Sequence, residues 1–248
     1  MSAGADGVTR IAMWSGPRNI STAMMRSFEN RPDTVVVDEP FYATFLKETG
    51  IDHPGRDAVL ASQSTDWRTV ADQLTGPVPA GKSVFYQKHM SHHMLPGMGR
   101  DWMAGLTHAF LIREPARMLA SYVKTREEVT LEDLGLPQLS DLFGWVSDRL
   151  GSAPPVVDSR AVLEDPEGQL SALCAALGIP FDPAMLSWPA GKRDSDGVWA
   201  PWWYESVERS TGFMAPPEGP APTLDARLQR IADAAQPYYD DLAQYRLG

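Results

Sequence analysis

The groups of this chain best placed to do chemistry begin with a guanidinium and two hydroxyls in one short run. In SGPRNIST (15–22), Arg18, Ser21 and Thr22 follow the apolar residues 11–14 and lead into AMMRSFENR, which has helical character. A strand, a tight loop and a helix start, in that order, make an anion site. The backbone N–H groups of residues 19–22, Asn19 and Ile20 included, point outward, the helix dipole favours negative charge, and the side chains add donors. The loop is not the GxxxxGK[ST] of nucleotide triphosphatases, since no Lys precedes Ser21. Arg18 therefore supplies the cation, and nothing in the run is arranged to hold magnesium. The plainer alternative is a strand–turn–helix junction in which Ser21 and Thr22 merely cap the helix.

Strands are predicted at 10–14, 34–38, 83–88, 107–112 and 155–158, and helical patterns at 21–31, 57–75, 96–105, 115–126, 138–150 and 166–177. This alternation implies an α/β fold, a parallel sheet flanked by helices on both faces, with ligands bound at the carboxyl ends of the strands. Beyond the first strand come Arg18 to Thr22; beyond the second, Glu39 and Phe41. Lys88, His89, His92 and His93 follow the third, and Arg113 the fourth, with Ser121 eight residues on. One rim thus gathers cations, hydroxyls, a carboxylate and imidazoles. Residues 187–222 differ, with Trp188, Trp199, Trp202 and Trp203 among Pro189, Pro201, Pro216, Pro217, Pro220 and Pro222. That composition predicts a long loop serving as a lid, not a packed element. Trp199 and Trp202 on it, with Phe41, His92 and His93, are candidates to touch an acceptor. An amphipathic helix over 223–246 closes a single domain spanning 1–248.

These stretches resemble the sulfotransferases that use 3′-phosphoadenosine 5′-phosphosulfate (PAPS). SGPRNIST is similar to their 5′-phosphosulfate loop. LIREPARMLASYVK resembles their 3′-phosphate motif, an Arg at a strand end and a Ser eight residues on, which Arg113 and Ser121 match. QKHMSHHMLP is similar to the stretch bearing the family's catalytic His, which puts His89 in that role beside Lys88. Glu39-Pro40 resembles the end of the second strand in a bacterial branch. Gly191, Lys192 and Arg193 stand, in altered order, for the late basic-glycine segment that completes phosphate binding. The resemblance implies a P-loop-type domain, PAPS as donor, adenosine 3′,5′-bisphosphate as product, no metal, and a small-molecule acceptor. Ile20 stands where many members carry Gly, which implies a loop that does without glycine-only angles. The base stays open between two residues. His89 suits proton abstraction with an ordinary pKa near 6.5, and is narrowly preferred; Glu39 needs burial to raise its own.

The formal charge of −10, from 22 basic and 32 acidic residues, argues against nucleic acid as a partner. A few cations converging in one cleft can still hold an anion. No apolar run approaches the ~18 residues of a membrane span, and the polar start resembles no signal peptide. A cytoplasmic protein follows, with the oligomeric state open and a homodimer among the alternatives. The single cysteine, Cys174, excludes an intramolecular disulfide and sits in an apolar helical pattern. The histidines come without a matched carboxylate or Cys, a poor ligand set for a metal. Two other functions compete. A small-molecule kinase of related P-loop fold lacks its Lys and has Asp38 as the one candidate for magnesium; a non-catalytic nucleotide-binding protein has the altered 191–193 segment and Ile20 in its favour and the intact His89 and Glu39 against it.

Overall fold

Five runs rich in β-branched and aromatic residues become strands. A computed structural model describes residues 6–124, 126, 128–216 and 219–248. Among these, β1 (Thr9–Ser15), β2 (Thr34–Asp38), β3 (Val84–Met90), β4 (Thr107–Ile112) and β5 (Val156–Asp158) form a parallel sheet in the order β2-β3-β1-β4-β5. Helix α1 (Ser21–Glu29) joins β1 to β2, and α2 (Tyr42–Thr49), α3 (Arg56–Ser62) and α4 (Trp67–Thr75) lie between β2 and β3. Helices α5 (Pro115–Tyr122) and α6 (Leu136–Leu150) precede β5, and α7 (Ser159–Glu164) and α8 (Pro166–Leu177) follow it. The short α9 (Ala200–Trp203) and α10 (Glu205–Glu208) occupy the Trp-rich segment before α11 (Ala226–Ala243).

Side chains alternate across a strand, and β1 divides accordingly between two apolar layers. Ala12 and Trp14 join the layer built by α5, α6 and α11, whereas Ile11 and Met13 join that of α1 and α8. Both faces of the sheet are therefore covered, as an all-parallel sheet requires. A third cluster, from α2, α3, Trp199 and Tyr204, packs beside β2 and β3. Cys174 is buried in α8, where burial pushes its thiol up to about 11. No described helix is long and apolar enough to cross a membrane.

Three expectations need correction. The 57–75 pattern divides into α3 and α4, because Asp66 accepts the Arg68 N–H and starts a new helix. Residues 96–105 give only a 3-10 turn at Asp101–Gly105, since Pro96, Gly97 and Gly99 break the pattern before it. The Trp-rich segment is packed. Trp188 and Trp199 are buried, Ser187 pairs with Gly212, and Trp199 donates its indole N–H to the Tyr204 hydroxyl at 3.1 Å. Trp202 is exposed at 44% and lies against Gly55, where a Cβ would overlap its ring. Pro217 lies outside the described residues.

Candidate active site

At the end of β1 the chain turns through residues 16–20 into α1. Gly16 allows this turn to sit tight, because a Cβ there would overlap the Leu134 carbonyl oxygen and press on the Met118 methyl. Gly16→Ala is expected to destabilise the protein by about 1–3 kcal/mol, as overpacking does, read as a lower urea midpoint. Arg18 (φ 57°) and Ile20 (φ 50°) both take left-handed backbone angles. The expectation for Ile20 is thus overturned: a β-branched residue holds angles that glycine favours, at about 1–2 kcal/mol. Anchors on β4 and beyond keep it there. Asn19 donates its amide to the Leu111 carbonyl at 2.6 Å, and Arg113 donates to the Arg18 carbonyl at 2.5 Å. Ile20 is also the residue that should cap α1, and it offers no side-chain cap. Ser21 and Thr22 lie inside the first turn, so the leading N–H groups of α1 keep their capacity to bind an anion.

Arg18 Nε donates to Ser121 Oγ at 3.2 Å, which brings the three half-buried residues Arg18, Ser121 and Arg113 together from β1, α5 and the end of β4. Neither guanidinium has a carboxylate within ion-pair distance among the described residues. Burial lowers the proton affinity of both, and Arg18 lowers that of Arg113 further. Two like charges held this close in a partly dry site call for a negative partner.

A second constellation stands at the ends of β2 and β3. The buried Lys88 ammonium donates to Asp38 Oδ1 at 2.8 Å, Glu39 Oε1 at 2.6 Å and the Tyr204 hydroxyl at 2.9 Å. Burial opposes the charge on Lys88, but Asp38 and Glu39 outweigh it and hold the ammonium well above its usual range. For Glu39 burial dominates and raises its proton affinity; Lys88 works against this and Asp38 adds to it. Glu39 sits at φ 38°, held by N–H donation to the Lys88 carbonyl at 2.9 Å and by Gln63 donating to its own carbonyl at 3.1 Å. Tyr42, at the start of α2, feels the charge of Glu39, and Tyr122, at the end of α5, feels that of Arg18.

A family model described as a sulfotransferase domain matches residues 9–245, which contain both constellations. The chain belongs to the sulfotransferase domain family. Its fold matches the sulfotransferase domain from the curacin biosynthetic pathway at a TM-score of 0.53, with 16% identity, over 92% of this chain and 98% of that one. The sulfotransferase from Alicyclobacillus acidocaldarius matches at a TM-score of 0.56, with 13% identity, over 96% and 97%. At such identities the likeness is one of fold. Two Arabidopsis thaliana relatives are nearer in sequence. Branched-chain-amino-acid aminotransferase-like protein 1 is 44% identical over 236 residues, 95% of this chain and 42% of the relative. Protein 2 of that name is 40% identical over 212 residues, 85% of this chain and 37% of the relative. The chain spans about two fifths of the length of these curated relatives.

In this sulfotransferase-family domain the sheet does not carry every candidate to one place. Strand β3 continues to Met90, so Lys88 and His89 are consecutive strand residues and face opposite sides. His89, 1% exposed, turns into the core, its ring 4.3 Å from that of Trp14 and 5.8 Å from that of Phe41. Its Nε2 meets Gln87 Oε1 at 3.2 Å, and burial pushes its pKa down to about 3. Phe41 is itself buried, and His93 stacks on Tyr42 at 4.8 Å and on Phe45 at 4.8 Å. His92 meets the edge of Phe45 at 5.3 Å. These rings pack against α2 as part of the wall. Arg193 donates its N–H to Asp196 and a guanidinium N–H to the Pro189 carbonyl, and Asp196 in turn pairs with Arg26. Arg193 is thus tied through Asp196 to Arg26 in the last turn of α1, and among the described residues it makes no hydrogen bond to the loop at the start of that helix. Tyr204 was missed in the sequence, where nothing but its place among tryptophans marks it.

Proposed function

We propose that this domain transfers a sulfuryl group from PAPS to an oxygen or nitrogen of a small-molecule acceptor. The observation that carries the reading is the convergence of Arg18, Arg113 and Ser121 on the uncapped start of α1, two guanidiniums with no carboxylate partner among the described residues. These residues suit a donor with two separate anionic groups: Arg18, Ser21, Thr22 and the first N–H groups of α1 for the 5′ end, Arg113 and Ser121 for the 3′-phosphate. When bound, PAPS supplies the sulfuryl group and a phosphate leaving group.

Arg18 and the α1 N–H groups neutralise the charge that grows on the leaving oxygen, and they are already in place before reaction. Asn19 and Ile20 contribute backbone donors and the shape of the loop. Glu39 takes the acceptor's proton. A carboxylate with raised proton affinity, still 12% exposed and 2.6 Å from Lys88, is a better-tuned base than the buried His89, which stacks in the core. Lys88 orients Glu39. The preference for His89 in the sequence is replaced for that reason.

Two measurements test the reading. Adenosine 3′,5′-bisphosphate in the presence of a chelator is expected to raise the melting temperature, while ATP with magnesium gives the smaller shift; the reverse order would favour the kinase reading. Against a panel of phenols, alcohols and amines with PAPS, Glu39→Gln is expected to lower turnover by roughly 10²-fold or more with bisphosphate affinity retained. His89→Gln, if it folds, should cost turnover less. The opposite ranking returns the base to His89.

A further inference from the structure

We propose that Asp38 and Tyr204 are positioning residues that divide the Lys88 ammonium between two carboxylates and so set the proton affinity of Glu39. The proposal rests on the reading of Glu39 as the base. Its geometry is a closed set of hydrogen bonds. The three N–H groups of Lys88 find three acceptors, Asp38 Oδ1, Glu39 Oε1 and the Tyr204 hydroxyl. Tyr204 donates onward to Asp38 Oδ2 at 2.6 Å and accepts from the Trp199 indole at 3.1 Å. The Gly197 N–H reaches the same Asp38 oxygen at 3.2 Å.

The two carboxylates are treated unequally. Asp38, 2% exposed in its side chain, has three donors, Lys88, Tyr204 and Gly197, whereas Glu39, 12% exposed, has Lys88 on its carboxylate. Asp38 is the standing counter-ion and Glu39 is the carboxylate free to gain and lose a proton. The donors that Tyr204 and Gly197 give to Asp38, with Trp199 donating in turn to Tyr204, loosen its hold on Lys88 and leave more of the ammonium to Glu39. The charged and titratable groups facing the set are Lys88 and Tyr86 from β3, Asp38 from β2, Tyr42 from α2, His93 from the turn after β3, and Tyr204 itself. The Trp-rich segment thereby reaches the site through one phenol.

Opposite effects are expected from two substitutions. Tyr204→Phe frees Asp38 to draw Lys88 away, and the Glu39 midpoint should rise by about half a pH unit or more. Asp38→Asn removes both the competitor and a repelling charge, and the midpoint should fall by a similar amount. The side-chain carboxyl carbon of Glu39 reads this directly in 13C-Glu protein, assigned by its loss in Glu39→Gln, with no acceptor needed. Shifts of the same sign, or none, would overturn the proposal. Should either variant not fold, the wild type decides: the 13Cζ signal of Tyr204 should move through the Glu39 midpoint, and a flat signal there refutes the coupling. Adenosine 3′,5′-bisphosphate titrated into the same samples reports separately on the donor reading, so the two can fail independently.

Discussion

Replacing Arg113 by Ala should erase most of the preference for adenosine 3′,5′-bisphosphate over adenosine 5′-phosphate. A charge-assisted contact of this kind is worth about 2–3 kcal/mol, roughly 30- to 150-fold in the ratio of the two dissociation constants. The ratio is the quantity to measure, by titration calorimetry, because Arg113 has a second duty. It donates to the Arg18 carbonyl at 2.5 Å and so helps to hold the loop in its left-handed turn. Its loss should therefore weaken both nucleotides, and the bisphosphate more. Ser121→Ala removes a neutral hydroxyl and the acceptor of the Arg18 Nε, and should reduce the ratio by about 1 kcal/mol. A variant without Arg113 that retained full preference would mean the 3′-phosphate is read elsewhere.

The second large effect concerns acid. The chain has five histidines, and burial pushes every one below its ordinary range: His53, His92 and His108 down to about 4, His89 to about 3, and His93 well down. Each stays neutral while folded and takes a proton near pH 6.5 once unfolded. The unfolded state then binds more protons, so this stability is complete above pH 6.5 and is lost as pH falls toward 4. One such residue changes stability by up to about 1.4 kcal/mol per pH unit. His89, His93 and His108, at 1%, 2% and 2% exposure, together give about 4 kcal/mol per unit, a large share of a typical total. Glu39, with its raised proton affinity, works in the opposite direction but is a single group. The urea midpoint should fall steeply between pH 6.5 and 5. An unchanged midpoint over that interval would mean that these rings are protonated in the folded state.

The neutral imidazoles are built in, not incidental. Trp14 donates to His108 Nδ1 at 3.1 Å, which leaves Nε2 to donate to the Met103 carbonyl at 3.0 Å. Arg126 can only donate, so His53 Nε2 accepts from it at 2.7 Å and Nδ1 donates to the Tyr42 oxygen at 2.8 Å. A second proton on either ring has no acceptor waiting for it.

The strands and the anion loop were legible in the sequence because they depend on local pattern. TVVVD and THAFLI carry the apolar and β-branched residues of buried strands, and SGPRNIST breaks one strand and starts a helix within eight residues. Helix α2 was hidden because Tyr42–Thr49 follows Glu39-Pro40, a pair that reads as a turn. His89 was misplaced for want of two residues of strand: ending β3 at Lys88 put His89 on the rim, whereas alternation along the longer strand turns it inward. The Lys88–Asp38–Tyr204 contact joins positions 116 and 166 residues apart, and no spacing rule reaches that far.

Strand order has a consequence for how the donor site comes into being. The strand that delivers the loop, β1, lies between β3 and β4, with Ile11 opposite Tyr86 on one side and Thr107 on the other. The loop's own anchors, Asn19 to Leu111 and Arg113 to Arg18, span 92 and 95 residues. Long-range parallel pairing of this kind forms late and slowly, since loop closure must precede any reward. A growing chain thus has no anion site until β4 has been made and docked. With the loop read as the proposed donor site, nucleotide binds the finished sheet and slows its opening, and does not template the early steps of folding.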